Sequence, residues 1–494
     1  MSVPIRAIPE NNDKEPNMKN IPGSRRHLKG GLVAVVLSAA SLVACGGGSE
    51  TPPPELTTVA MGATISRTGV SAVATWVDSF DLAAADLNAG IKKAGYPFAV
   101  NFADYIEDTM NMASVTVAKA LDMVHTKNIK MVLDGTSGDS LALNALMYDT
   151  DTTNDINIPV VCVACSSTSH HNPNAVDANP ANQAAFRNQD KWHFGLSMSS
   201  LPQSLVISRL LLARDGKNGD INNDGKFKLS IIAIDDPFGT TFAQALTSSL
   251  KAARPDAIVE TILHPKTAAL DTYDWAGVLT QLTDSKTADV TDFLPDAIVE
   301  ITFPQFSLAL VKAYTAGAYA LPFFHTHSMR EQPVVVQAGH DLDNQEGTSY
   351  LPSDGMSGTM FDAHFTAVTS LVRQSQWDAH VYDGGGIFGL GVMAAIKAGA
   401  DPATITGAQI RDAMQTVNNP AGEIVRPGID ELAKAAKLIN EGKPINYEGA
   451  SGPCDFDAYG RALNRISHWK VTNQKVSSID AFDCVANPAT CPPI

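Results

Sequence analysis

The 494-residue chain is poor in positive charge: 36 Lys and Arg stand against 52 Asp and Glu, a net charge of −16. No basic stripe with interleaved aromatics occurs, so nothing in it suits a polyanion, and no nucleic-acid partner is expected. The acidity reads as a solvated surface. Signatures of catalysis are missing too. Its 12 histidines never fall at His-Glu-x-x-His spacing, and neither a Gly-x-Ser-x-Gly elbow nor a Walker loop is present. The expectation is a protein that is not an enzyme and needs no cofactor. Charged residues make up only 18%, against 44% hydrophobic, an ordinary globular balance at a length that allows two or three domains. After residue 44 no apolar run is long enough for a membrane span.

What is present begins with targeting. Arg25, Arg26, His27 and Lys29 form a basic n-region, and residues 30–44 a short apolar h-region. It ends in Leu42-Val43-Ala44-Cys45, which resembles the bacterial lipobox. That resemblance implies cleavage after Ala44 and lipidation of Cys45. A plain signal peptide cut nearby is the alternative. Ser24-Arg25-Arg26-His27-Leu28-Lys29 also resembles a twin-arginine export signal. Gly46-Gly47-Gly48-Ser49 and Pro52-Pro53-Pro54 make residues 45–56 a tether rather than a fold. The expected location is periplasmic, as a membrane-anchored lipoprotein. Residues 1–44 carry six basic and three acidic side chains, which leaves 30 basic against 49 acidic in the mature part, a net of −19.

Of the six cysteines, Cys45 is assigned to lipid, leaving Cys162, Cys165, Cys454, Cys484 and Cys491. An oxidising exterior permits disulfides. Cys484 and Cys491 are the easiest pair to close, but spacing alone does not decide connectivity. Cys162 and Cys165 have redox-like spacing. Cys162, however, sits inside an apolar strand rather than at a helix N-terminus, where a thiol would be activated.

From residue 57 strand-length β-branched runs alternate with helical spacing. Strands are predicted at 57–65, 98–105, 130–134, 158–164, 229–234, 257–263, 297–303 and 322–325. Helices are predicted at 79–94, 241–253, 305–316, 364–374, 380–398, 406–417 and 430–441. Residues 455–471 read as a hairpin turning at Gly460. Alternation of this kind implies βαβ units and parallel sheets covered on both faces. The fold class is therefore α/β, two Rossmann-like lobes joined by several crossings, with a ligand cleft between them. Lobe 1 is expected from 57–195 plus 360–446, and lobe 2 from 196–359 plus 447–494.

Several segments then resemble the type I periplasmic binding proteins. They are Gly62-Ala63-Thr64-Ile65-Ser66-Arg67-Thr68-Gly69, the first helix Leu82–Gly90, Ile158-Pro159-Val160-Val161 with its hydroxyl-rich loop, Asp235-Asp236-Pro237-Phe238-Gly239, and Tyr382-Asp383 opening a glycine-rich helix. Tyr447-Glu448-Gly449-Ala450-Ser451-Gly452, with Asp455-Phe456-Asp457 and Gly460, resembles the closing motif of the branched-chain amino acid and amide-binding group. The resemblance spans nearly all of residues 57–472. It implies a solute-binding protein that captures an amino acid, amide or small carboxylate and delivers it to an ABC permease in the inner membrane. A sensor or receptor component of the same fold is the alternative, and a hydrolase of a small polar substrate is a third reading.

Ligands of open parallel sheets bind beyond the strands' carboxyl ends, where helix N-termini present free N–H groups. Three such loops are 66–69, 134–140 and 164–168. The resemblance implies ligand contacts at Thr136, Ser137, Ala164, Cys165 and Ser166, with Thr168 a rival for the role of Ser166. Helix capping and turns explain the same hydroxyls equally simply. In the second half, Phe238 stands where the family often has tyrosine, and Glu300, Thr302 and His325 end two strands. His325-Thr326-His327 replaces the acid that amino-acid binders place there, and Glu300 could supply the missing carboxylate. Trp76 could stack on a ligand or simply pack. Asp220, Asn222, Asp224 and Gly225 begin like a calcium loop, but Ile231 stands where the bidentate Glu belongs, so no metal is predicted and a polar turn away from the cleft is expected.

Overall fold

The computed structural model describes residues 56–284, 294–351 and 355–494. The leader 1–44, Cys45 and nearly all of the 45–56 tether lie outside them. Among the described residues no helix is long and apolar enough to cross a membrane.

Two parallel sheets organise the rest into two lobes. The first has five strands in the order Ile106–Asp108, Gly62–Ile65, Val132–Asp134, Val160–Cys162, His193–Gly195. All neighbours pair in parallel. Val160, Val161 and Cys162 are buried on both faces, as a strand covered by helices requires. The second sheet runs Ile258–His264, Lys228–Ile234, Ala297–Ile301, Phe323–His325, Glu346–Tyr350, then a hairpin of Ile466–Thr472 and Lys475–Phe482. Its first five strands are parallel and the hairpin antiparallel. The chain leaves the first sheet after Gly195 and rejoins the second at Ile466, so the lobes are built from discontinuous segments.

The helix Trp377–Lys397 is apolar nearly all round and packs against the first sheet and the helix Thr75–Ala94. Its glycines permit the approach. A Cβ on Gly385 would lie 2.7 Å from the Ala83 Cβ, and one on Gly389 2.3 Å from a Leu87 methyl. Asp383 on this helix is wholly buried and accepts from the Tyr447 hydroxyl at 2.9 Å, Ala450 N–H at 2.8 Å and Ser451 N–H at 2.7 Å. The Tyr382-Asp383 and Tyr447–Gly452 motifs are therefore two halves of one joint.

Three expectations change. The 57–65 run splits at Met61: Thr57–Ala60 pairs with Phe98–Asn101 in a separate ribbon, and only Gly62–Ile65 enters the main sheet. The 455–471 hairpin is not there. Asp457 Oδ1 accepts from Tyr459 and Arg461 N–H, which curls the chain into a tight turn at Gly460 with a lone Phe456–Ala462 bridge. The hairpin comes later and turns at Asn473 and Gln474, both with positive φ (50° and 59°). The helix expected at 364–374 runs instead over Met356–Thr369. Cys162–Cys165 and Cys484–Cys491 are disulfides, and Cys454 is free and buried.

Candidate functional site

A cavity of about 180 Å³ lies where loops from both sheets converge. From the first side, the strand Val132–Asp134 ends in Gly135 and Thr136 and the helix Ser137–Leu146 begins. Its first-turn N–H groups lack intrahelical partners and favour an anion. The Ser137 hydroxyl accepts from Ser167 N–H at 3.2 Å, so its own proton is free to donate into the cavity. Thr136 differs, because its hydroxyl already donates to Asn111 Oδ1 at 2.8 Å. Trp76 stands against Gly135, leaving no room for a Cβ there.

The opposite wall is aromatic. Phe238 stacks with Phe303 at 6.0 Å between ring centres and leans on His327 at 5.3 Å. Trp377 closes on the other side of His327. Thr302 lies 2.8 Å from His264 Nε2, a ring that burial holds neutral with its pKa down to about 4. Glu331 also lines the cavity and accepts from Gln376 N–H at 2.7 Å. Burial raises its pKa, against the pull of Arg373 and Arg330. Asp378 accepts from the Thr75 hydroxyl and from the N–H groups of Gln374 and Ser375, which fastens the 374–377 wall to the Trp76 helix. Burial lifts the Asp378 pKa to about 7.

Of the residues expected from sequence, Thr136, Ser137, Ala164, Phe238 and Thr302, with Trp76, line this cavity. Thr168 is not in the lining: its N–H is spent on the Thr241 hydroxyl of the other lobe. Four further expected contacts are likewise outside the lining. Cys165 is sealed in the disulfide with Cys162. Ser166 is buried in a turn, its carbonyl accepting Ser200 N–H. Glu300 points into the core, accepting the Ser307 hydroxyl at 2.7 Å with His325 Nδ1 3.2 Å away. His325 is fully enclosed between Glu300 and Gln345. The reason is strand phase: Ala297–Ile301 and Phe323–His325 are covered on both faces, so side chains before the strand ends meet helices, not the cleft. His327 and Glu331, just beyond the strand, line the cavity instead. Val70–Val73 and Gln374–Trp377 also line it, and no local motif announces them.

Two clusters carry the residue types of a metal site. Asp220 accepts Asp224 and Gly225 N–H, Asn222 accepts Asp224 N–H, and Asp224 pairs with Lys228. The loop lies at the amino end of its strand, and none of it lines the cavity. Cys162, Cys165 and His193 bring ligand atoms within 4.8 Å of one another, but the two sulfurs are spent on each other.

Residues 58–431 match the model of the family described as periplasmic binding protein. The chain belongs to that family. No curated protein matches it in sequence. Among solved structures, this periplasmic binding protein is similar to a solute binding protein of an R. palustris ABC transporter in complex with benzoate. The two share 12% identity at a TM-score of 0.61, covering 88% of this chain and 97% of that one. It is also similar to a leucine binding protein of Thermotoga maritima (11%, TM-score 0.59, 86% and 98%). A third is the branched-chain amino acid transporter substrate binding protein of Streptococcus pneumoniae in complex with isoleucine (16%, TM-score 0.57, 86% and 98%). At these identities the TM-scores show a shared two-lobe fold and no more.

Proposed function

We propose that this periplasmic binding protein captures a small carboxylate with a ring-sized apolar body and delivers it to an ABC permease. The carrying observation is the composition of the cavity. The free Ser137 proton and a helix N-terminus stand at one side, and Trp76, Phe238, Phe303 and Trp377 supply aromatic surface to a wall that His327, Glu331 and residues 374–376 also line. The first suits a carboxylate and the second a flat apolar body. The benzoate complex of the R. palustris neighbour is in line with this reading. A second reading, an amino acid, is favoured by Glu331, whose carboxylate in the lining could take an ammonium group. Calorimetric titration with benzoates and with leucine or isoleucine separates them. Binding of amino acids but not benzoates sinks the first reading.

We further propose that Cys45 is the lipidated N-terminus that holds the protein to a membrane. The support is the Leu42-Val43-Ala44-Cys45 sequence and the tether after it. Cys45→Ala should release the protein into the soluble fraction, and unchanged membrane partitioning would refute the assignment.

A further inference from the structure

One group in the cavity wall has its proton placed by its neighbours. Gln203 donates from Nε2 to the Thr348 carbonyl at 3.1 Å. A carbonyl only accepts, so the amide is oriented with Oε1 toward His327 Nδ1, 3.1 Å away. An amide oxygen only accepts as well, so Nδ1 carries the ring proton. Burial keeps the ring neutral, its pKa held down to about 3. Nε2 is left as a bare lone pair, with no hydrogen-bond partner among the described residues, on a side chain that lines the cavity. Tyr350 stacks on the ring and Trp377 meets it edge-on, so it cannot swing to find a partner.

We infer that His327 is a specificity-determining residue that requires a hydrogen-bond donor on the ligand, so the captured carboxylate carries a hydroxyl or N–H group on its apolar body. The inference rests on the carboxylate reading above and narrows it. A plain hydrocarbon ring would bury Nε2 unpaired. A methyl ether would set one lone pair against another. The Ser137 hydroxyl takes the acceptor end of the ligand and His327 its donor end, so the two walls orient the molecule as well as hold it. Because the ring stays neutral, this requirement is the same across the physiological pH range.

The test is a calorimetric series of benzoate, its monohydroxy isomers and their methyl ethers. At least one hydroxybenzoate should bind about tenfold tighter than both benzoate and its own methyl ether. His327→Phe should bring the hydroxy-to-methoxy ratio close to one. His327→Gln, whose Oε1 can stand where Nε2 stood, should keep most of it. The Phe variant leaves Gln203 Oε1 unpaired, and if it fails to fold, the wild-type series and the Gln variant decide the matter. Equal affinity of wild type for benzoate, phenols and ethers overturns the role of His327 and leaves the carboxylate reading standing. Binding of no member removes that reading, and this inference with it. Nitrogen-15 spectra give a ligand-free check: a proton on His327 Nε2 rather than Nδ1 overturns the inference.

Discussion

The backbone N–H of Thr168 donates to the Thr241 hydroxyl at 3.1 Å, joining a loop of the first lobe to a helix of the second. Lys266 Nζ makes a second cross-cleft bond, to Asn111 Oδ1 at 3.2 Å. The two lobes are therefore held together across the cleft in part by the protein's own contacts, each worth about 1 kcal/mol. Thr241→Val with Lys266→Met should shift the unliganded protein toward an open hinge. The radius of gyration should rise in small-angle scattering, and affinity should fall about three- to tenfold as closure becomes less favourable. A pair variant that scatters and binds like wild type would show that these contacts do not hold the cleft.

Ser137→Ala should weaken carboxylate binding by about 1–3 kcal/mol, because a desolvated ligand oxygen loses its donor. Glu331→Gln should act selectively on ligands bearing an ammonium group. Glu300→Gln should leave ligand charge preference alone and lower thermal stability, since Glu300 is enclosed with Ser307 and His325. Titration calorimetry on the three variants, with a thermal melt of Glu300→Gln, checks these outcomes, and a charge-dependent effect at Glu300 would contradict its placement.

Arg461 Nε–H donates to His171 Nδ1 at 2.9 Å, so His171 Nε2–H donates to His193 Nδ1 at 2.8 Å, and His193 Nε2–H donates to Ser140 Oγ at 2.5 Å. The relay needs a neutral His193, and burial, aided by Arg461, holds its pKa down to about 3. In the unfolded chain the group titrates near ~6.5. Between those values the unfolded state binds the extra proton, so this stabilisation is whole above about pH 6.5 and is lost as pH falls. Relative to His193→Gln, wild type should lose about 1.4 kcal/mol per pH unit from about pH 6 to about pH 4. Melting both proteins across that range is the measurement. A constant difference would mean that His193 is not kept neutral.

Asp383 accepts from Tyr447, Ala450 and Ser451 at once. Asp383→Ala strands those buried donors and should destabilise the protein by about 3 kcal/mol or more. Burial lifts this carboxyl's pKa to about 6. Asp383→Asn, which keeps the volume and one acceptor oxygen, should be milder. Thermal melts of the two variants rank them, and equal losses would point to packing rather than hydrogen bonding.

The alternation of β-branched runs and helical spacing carried the fold, because strands such as Val160–Cys162 are short, apolar and β-branched between turn residues. Loop chemistry located one side of the cavity: Thr136, Ser137 and Ala164 follow strands directly, and Phe238 lies in the first turn of the helix Pro237–Ala253 that follows another. Glu300 and His325 misled because a polar residue near a strand's end looks exposed in one dimension. A one- or two-residue shift in where the strand stops decides between core and cleft. His327 lay two residues past His325, and only the hydrogen bond it donates to Gln203, 124 positions away, reveals its role. Gln374–Trp377 is placed by Asp378 and Thr75, a pairing across 303 residues that no local pattern contains.

Ala164 lines the cavity and lies between Cys162 and Cys165, so part of the cavity wall belongs to a small covalent ring. Protein made in a reducing cytosol lacks that ring, and protein made by export through an oxidising compartment has it. The two preparations are different reagents, and a ligand screen run on the first interrogates a loop that the second does not possess.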